Sequence, residues 1–171
     1  MSAALRACAA LLLLASLALP HARAAAASGS AVDLNGEQAE VSEWRARRIE
    51  ALKSDEGWLT LAGLFWLKEG ENRFGRDRGN DLVLENLAIA AHCGTFILSG
   101  RSVRFMAAEG SGVTYQGRPV SSLELHADTA GEPTVLASGS LRFFVIERAG
   151  NLGVRVRDLN NPHRTTFQGL S

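Results

Sequence analysis

Alternating arginines near the end of the chain are the residues with the clearest capacity for ligand chemistry. Arg155 and Arg157 alternate with valines, so on a strand both guanidinium groups emerge on one face and the valines on the other. Guanidinium groups bind carboxylates and phosphates through paired hydrogen bonds. The pattern predicts an anion-binding stripe, extended by Arg142 and Arg148 from the preceding strand, with Asp158 orienting one arginine. A solvated sheet face with cross-strand ion pairs explains the same pattern and is the commoner arrangement.

Two tryptophans lie in the densest apolar segment of the chain, residues 55–70. Trp58 and Trp66 are candidates for lining a ligand pocket, but large aromatic rings in such a segment are usually packed in the core. We therefore expect both rings to be buried. Glycines at both ends and in the middle of the segment interrupt a helix and predict a bent or bulged hairpin.

Histidine chemistry centres on His92, which directly precedes Cys93. A histidine beside a cysteine suggests a base and a nucleophile, yet adjacent residues of an extended chain point to opposite faces. Neither His126 nor His163 has the spacing that would place it on one face with His92, so we expect no metal site. Residues 70–76 have the glycine spacing of a phosphate-binding loop but lack its lysine and hydroxyl residue, so we also expect no cofactor.

The N-terminus has the three parts of a secretory signal peptide, residues 1–24. Arg6 supplies the positive start, residues 9–19 form a short apolar run, and an Ala-x-Ala step ends at Ala24. Small and polar residues predict a flexible leader over 25–34, followed by a single domain over 35–171.

These features predict a periplasmic or secreted protein, with an uncleaved anchor as the alternative. After cleavage we expect no stable membrane insertion, because no later segment approaches the ~20 apolar residues of a spanning helix. Cleavage also removes Arg6 and Arg23, so 16 basic residues face 18 acidic ones. This slightly negative charge argues against nucleic acid as a partner. Cys93 is then the single cysteine, and no internal disulfide is expected.

The helices and strands that would position these candidates can be read from the spacing of apolar residues, which changes once along the chain from a helical to an extended pattern. Val41, Trp44 and Leu52 recur at the spacing of one helix face, which predicts a helix over residues 37–53. From Trp58 onward, short extended segments alternate with glycine-containing turns, which is typical of a mainly β protein with a β-sandwich fold. The predicted strands are 64–67, 72–75, 82–84, 94–98, 102–107, 112–115, 120–125, 134–137, 141–147 and 153–157.

Two of these predictions are specific enough to test directly. Ser99-Gly100 and Gln116-Gly117 are expected to form two-residue hairpin turns, because each separates two β-rich segments. The apolar run over residues 141–146 predicts a central strand covered on both faces.

The tryptophan and glycine positions resemble those of the bacterial domain-of-unknown-function family 1684. The resemblance covers residues 43–170. It implies an exported or cytosolic protein and assigns no activity. Members of that family look longer, so the resemblance also implies that this chain is a truncated or naturally short form lacking the C-terminal half. The residues that carry it are Glu43-Trp44, Gly57-Trp58-Leu59, residues 63–67, Gly70, Asn72, Phe74-Gly75, residues 141–146, Arg148, residues 153–156 and Asp158.

Residues 74–120 also resemble the skeleton of a forkhead-associated β-sandwich, through Phe74-Gly75-Arg76, residues 80–84, His92, Gly112 and Gln116-Gly117. The resemblance implies that fold and, in the family, loops that bind phosphothreonine. This chain carries Ile89 and Ala90 where the motif has its phosphate-binding serine and arginine. Ser111 stands where an asparagine is usual.

Taken together, the residues predict a β-sandwich with one N-terminal helix that acts as a non-catalytic binding or interaction module. Its partner would be a small molecule or a protein. One alternative is a hydrolase whose site includes His92 or the arginine stripe. The other alternative is a truncated remnant without independent activity.

Overall fold

A computed structural model describes residues 34–169. The predicted signal peptide and residues 25–33 of the predicted leader lie outside the described residues, and residues 35–169 form one compact unit. In chain order the elements are α1 (Leu34–Lys53), a 3-10 turn (Trp58–Thr60), β1 (Leu61–Trp66), β2 (Gly70–Gly75), β3 (Leu82–Val83), β4 (Gly94–Ser99), β5 (Ser102–Ala107), β6 (Thr114–Tyr115), β7 (Arg118–Pro119), β8 (Ser122–Leu125), β9 (Leu136–Ser138), β10 (Leu141–Arg148), β11 (Asn151–Asp158) and α2 (Pro162–Thr166).

The strands form two sheets. The six-stranded sheet has the order β1-β11-β10-β9-β6-β7, and the five-stranded sheet has the order β3-β2-β4-β5-β8. Neighbouring strands are antiparallel except for the short β2–β3 pair, which is parallel. The mainly β class with two sheets and one N-terminal helix is therefore confirmed.

Phenylalanine rings from both sheets meet in the core between them. Phe74, Phe96 and Phe105 come from the five-stranded sheet, and Phe143 comes from the six-stranded sheet. The ring centroid of Phe143 lies 5.5 Å, 6.2 Å and 5.7 Å from those of Phe74, Phe96 and Phe105. All four side chains are fully buried, and edge-to-face contacts of this kind add to the stability gained from area burial. This packing makes the pair of sheets a β-sandwich.

The predicted helix is confirmed at its C-terminal end and starts three residues earlier than expected, at Leu34. Gly57 follows it in a tight turn, where its amide donates to the carbonyl of Ser54 at 2.8 Å. A Cβ atom at Gly57 would lie 2.1 Å from the carbonyl oxygen of Leu52. Only glycine fits there, so this residue lets the chain leave the helix and enter the first sheet.

The expectation of a hairpin over residues 55–70 is wrong. Strands β1 and β2 belong to different sheets, although the predicted bulge does occur, between Leu61 and Gly63. The expected burial of the two tryptophans is also wrong, because Trp58 is 74% exposed and Trp66 is 47% exposed. Trp66 is exposed because β1 is an edge strand, on which Phe65 packs against the core and the next residue faces outward. Trp58 lies before β1, on the 3-10 turn.

Both predicted hairpin turns occur, and the turn between β4 and β5 lies one residue later than expected. Gln116 and Gly117 both have positive φ, 50° and 75°, and join β6 to β7 as a primed two-residue turn. At the other hairpin Ser99 pairs with Ser102, so the turn residues are 100–101 rather than 99–100.

Strand β10 is central, as its apolar run predicts. It pairs with β11 on one side and with β9 on the other. Phe143 and Val145 face the core, while Phe144 and Ile146 are buried on the opposite face. The sequence did not predict the short strand β7 or helix α2.

No helix within residues 34–169 is both long enough and apolar enough to cross a membrane.

Candidate functional site

Strands β1, β11 and β10 bring the predicted arginines together on the outer face of the six-stranded sheet. Arg157 pairs across the strands with Arg142, and Arg155 lies two positions along β11 on the same face. We call the surface formed by Arg142, Arg155 and Arg157 the arginine face. Its three guanidinium groups are half-buried, and no carboxylate side chain within the described residues lies within ion-pair distance of any of them.

The edge strand places apolar surface beside these arginines. Leu64 pairs with Arg155, and Trp66 pairs with Gly153. A Cβ atom added to Gly153 would lie 2.8 Å from Cε3 of Trp66, so the indole ring lies directly against the glycine backbone. Leu64 and Trp66 are both exposed. The pattern predicted neither Leu64 nor Gly153 as part of a site, since only the strand register reveals that they border the arginines.

Phe144 forms the floor under the arginine face. It pairs with Arg155, and the guanidinium carbon of Arg157 lies 5.2 Å from its ring centroid. A cation over an aromatic ring at this distance is attracted to the negative face of the π system. The contact holds the Arg157 side chain over the sheet, but it satisfies none of the N–H groups of the guanidinium.

Arg155 and Arg157 lack the partners that neighbouring arginines have. Within residues 34–169 neither side chain makes a hydrogen bond or an ion pair, and Nε of Arg157 is buried without a partner. By contrast, Arg148 lies 2.8 Å from the carboxylate of Asp128, and Arg101 lies 2.7 Å from that of Glu147. The cross-strand ion pairs that would make the stripe an ordinary solvated face are therefore missing at Arg155 and Arg157.

The charge environment of Arg157 follows from this arrangement. Burial lowers its pKa, attraction from Glu56 opposes that effect, and the positive charge of Arg155 adds to it. Asp128 acts on Arg155 only through longer-range attraction. Glu56 and Asp128 therefore reduce the positive potential at the arginine face, but neither accepts a hydrogen bond from Arg155 or Arg157.

Arg142 links the arginine face to a cavity of about 520 Å³. One of its terminal nitrogens donates to the carbonyls of Gly139 at 2.9 Å and Leu141 at 2.8 Å. These two bonds hold the side chain at the border of the cavity. The other residues that line it are Thr114, Tyr115, Gln116, Gly117, His126, Glu132, Pro133, Thr134, Val135 and Ala137.

Asp158 does not orient an arginine, contrary to the expectation from its position in the sequence. Its carboxylate accepts from the Ser140 hydroxyl at 2.6 Å, the Asn86 side-chain amide at 2.8 Å and the backbone amide of Asn160 at 2.9 Å. Strand alternation explains the difference, since Asp158 follows Arg157 directly and points to the other face. Asp158 instead ties the loop at Asn86 to the end of β11.

His92 is separated from the arginine face, because it precedes β4 of the five-stranded sheet. Its ring nitrogen Nδ1 lies 2.8 Å from Oδ1 of Asn80, at an exposed position. Cys93 is fully buried, and burial raises the pKa of its thiol to about 12. A thiol that stays protonated is a poor nucleophile, so the two neighbours cannot act as a nucleophile and base.

The structure thus brings together Arg142, Arg155, Arg157 and Trp66 from the predicted set. Trp58 lies on the 3-10 turn that precedes β1, and it makes no ring contact with the arginines. In the part of the chain that the structure describes, no three His, Cys, Asp or Glu side chains gather in a metal-binding cluster.

No protein-family model and no curated protein sequence matches the chain, so the resemblance to family 1684 stays a prediction. Three solved structures with forkhead-associated (FHA) or phosphopeptide-bound descriptions are similar to it, each with a TM-score of 0.35. The first, from work on phosphothreonine-dependent FHA interactions, is 18% identical, over 53% of this chain and 79% of its own.

The second is the FhaA FHA domain complexed with an intracellular domain; it is 17% identical, over 55% of this chain and 97% of its own. The third is Mycobacterium tuberculosis EmbR in complex with a low-affinity phosphopeptide; it is 13% identical, over 74% of this chain and 32% of its own. The fold assignment rests on the two packed sheets of the chain itself, and no family is assigned.

Proposed function

We propose that this chain is a non-catalytic binding module whose arginine face binds an anionic group carried next to an apolar one. The observation that carries the proposal is the buried, unpartnered Nε of Arg157, beside an equally unpaired Arg155. Buried polar groups are almost always hydrogen-bonded in folded proteins, so the orphaned Nε marks a guanidinium that the described residues leave without a partner. Its terminal nitrogens are the donors that a ligand would reach. A carboxylate or phosphate oxygen supplies the acceptor.

The spacing of the two arginines suits a single anion. Residues two apart on a strand are separated by roughly 6–7 Å, which allows two guanidinium groups to approach one carboxylate or phosphate from both sides. Charge-assisted hydrogen bonds of this kind are about twice as strong as neutral ones. The ligand class is therefore an organic carboxylate or phosphate monoester.

The exposed side chains of Leu64 and Trp66 indicate the second feature of the ligand. They lie beside Arg155 and Gly153 on the edge strand, so a group attached to the bound anion would extend over them. Aromatic and apolar groups gain from contact with an indole ring. An aryl phosphate or aryl carboxylate should thus bind more tightly than inorganic phosphate.

Thermal unfolding tests this proposal on protein expressed from the full 171-residue chain. The probes are phenyl phosphate, phenylacetate and inorganic phosphate, because a ligand that binds the folded state raises its melting temperature. We expect phenyl phosphate to give a larger rise than inorganic phosphate. Comparison with phenylacetate distinguishes a phosphate from a carboxylate preference.

Two variants locate the binding. The double change Arg155→Gln with Arg157→Gln should abolish the rise, and Trp66→Ala should remove the advantage of phenyl phosphate over inorganic phosphate. The matched control is Arg104→Gln, an exposed arginine on a strand of the other sheet, which should leave the response intact. If none of the three probes raises the melting temperature, or if Arg155→Gln with Arg157→Gln responds like the parent, the proposal is wrong.

We also propose that the binding module acts in the periplasm or outside the cell. This rests on the signal-like residues 1–24 alone. Intact-mass spectrometry of protein recovered from a bacterial periplasmic extract should show an N-terminus at Ala25. Recovery of the uncleaved chain from the cytoplasm would contradict the proposal.

A further inference from the structure

Helix α1 leaves most of its surface uncovered. Every residue from 37 to 48 is exposed, including Val41 at 47% and Trp44 at 59%. Helices in proteins draw most of their stability from packing an apolar face against the rest of the fold. Within the described residues, the segment 37–48 of α1 has no such packing.

The two exposed large apolar residues of α1 share one side of the helix with the half-buried Leu52. Val41, Trp44 and Leu52 recur at intervals that keep them on one face, with the aliphatic stem of Arg48 between them. This face borders a groove of about 610 Å³. The groove is lined by Trp44, Arg45, Arg48, Ile49, Leu52, Phe167, Gln168 and Gly169.

Charge is distributed unevenly along the same helix. Glu37, Glu40 and Glu43 lie in the N-terminal half, whereas the C-terminal half carries Arg45, Arg47, Arg48 and Lys53 with one acid, Glu50. Of these, only Glu43 and Arg47 pair with each other, at 3.3 Å. The remaining charges of α1 have no ion-pair partner within residues 34–169.

We propose that two copies of this chain associate through α1 in an antiparallel pair centred on Trp44. In that orientation Glu37 and Glu40 of one copy lie near Arg48 of the other, on the side of the helix that carries Trp44. A parallel pair would instead set the acidic halves against each other, which opposes association. The helix is thus complementary in charge to a reversed copy of itself, and Trp44 of each copy is covered by the other.

Sedimentation velocity of protein expressed from the full chain tests this, over concentrations up to the high-micromolar range. The parent should be dimeric at the upper end and dissociate as salt screens the charges. Trp44→Ala should weaken the dimer at least about tenfold. The charge-reversed variants Glu37→Lys with Glu40→Lys, and Arg45→Glu with Arg48→Glu, should each be monomeric alone and form a mixed dimer when combined.

Controls separate this pairing from other kinds of association. Trp58→Ala removes a tryptophan that is more exposed than Trp44 but lies outside the helix, so it should leave the dimer unchanged. Circular dichroism should show that each variant remains folded, since all the substituted side chains are exposed. A parent that stays monomeric at high concentration overturns the proposal. So does a dimer that survives Trp44→Ala and both charge reversals, or charge-reversed variants that fail to associate when mixed.

Discussion

Replacing Arg157 with methionine should make the protein more stable while removing its ligand affinity. The change eliminates the buried Nε that has no hydrogen-bond partner and the repulsion from Arg155 that helps lower the pKa of Arg157. Methionine is long enough to cover Phe144 in place of the guanidinium. The substitution therefore distinguishes the destabilising effect of Arg157 on the folded protein from its contribution to ligand binding.

The magnitude follows from three contributions. An unsatisfied buried polar atom costs about 1–3 kcal/mol, which the substitution recovers. Loss of the cation–π contact with Phe144, 5.2 Å in the structure, removes about 0.5–1 kcal/mol at a partly exposed site. A sulfur–aromatic contact returns roughly 0.3–1.5 kcal/mol. The free energy of unfolding should therefore rise by about 2 kcal/mol, or roughly 4–8 °C in melting temperature for a domain of this size.

Urea denaturation followed by circular dichroism measures the stability change, and thermal shift with phenyl phosphate measures binding. The matched control, Arg104→Met, replaces an exposed arginine and should change stability by no more than about 0.5 kcal/mol. A decrease of more than about 1 kcal/mol for Arg157→Met would show that the guanidinium supports the fold. That result would refute the inference that its unpaired nitrogen is retained for a ligand.

Three further predictions concern the fold. Asp158→Ala should lower the free energy of unfolding by about 2–4 kcal/mol in urea denaturation, because three donors lose a charged acceptor; a loss below about 0.5 kcal/mol would contradict this. Burial raises the pKa of Asp158, but its hydrogen bonds outweigh that effect and hold the pKa below 3.8. Its contribution is therefore complete above pH 3.8 and lost as pH falls through the lowered value, so Asp158→Asn should flatten the acid limb of the stability profile. Cys93, with its pKa raised to about 12, should react with a disulfide reagent at pH 8 only after denaturation; rapid reaction of the native protein would show that the thiol is accessible. Gly57→Ala, whose Cβ would meet the Leu52 carbonyl at 2.1 Å, should destabilise the protein by more than about 2 kcal/mol. Gly110→Ala has open space around it and only the strain of a φ of 70°, so it should cost less, about 1 kcal/mol, in the same denaturation assay.

The strand and turn pattern was readable from the sequence because it depends on neighbouring residues. Alternation, glycine-containing turns and the apolar run of β10 are all local signals, and they predicted most strands and the Gln116-Gly117 turn. The short strand β7 has only two residues, Arg118 and Pro119, which is too few to show a period. Helix α2 is similarly short, and its cap depends on Asn161, whose side chain accepts from the amide of His163.

The tryptophans show where local reasoning fails. The apolar density around Trp58 and Trp66 is a local property, but burial depends on which sheet a strand joins and on whether it lies at the edge. Since β1 pairs only with β11, the outward half of its side chains has no second layer above it. Aromatic side chains in an apolar segment at such an edge can be exposed. The number of hydrophobic residues in the segment does not distinguish them from buried core residues.

By itself the sequence determined that Arg155 and Arg157 share a face, because the period of a strand is two residues and needs no partner to be known. It also determined that Cys93 and His92 point apart. Only the tertiary structure decided that Arg142 and Trp66 border the same surface, since strand order and register bring together residues far apart in the chain. Among residues 34–169, the absence of side-chain partners for Arg155 and Arg157 was likewise a tertiary outcome, because it depends on which carboxylates the fold brings close.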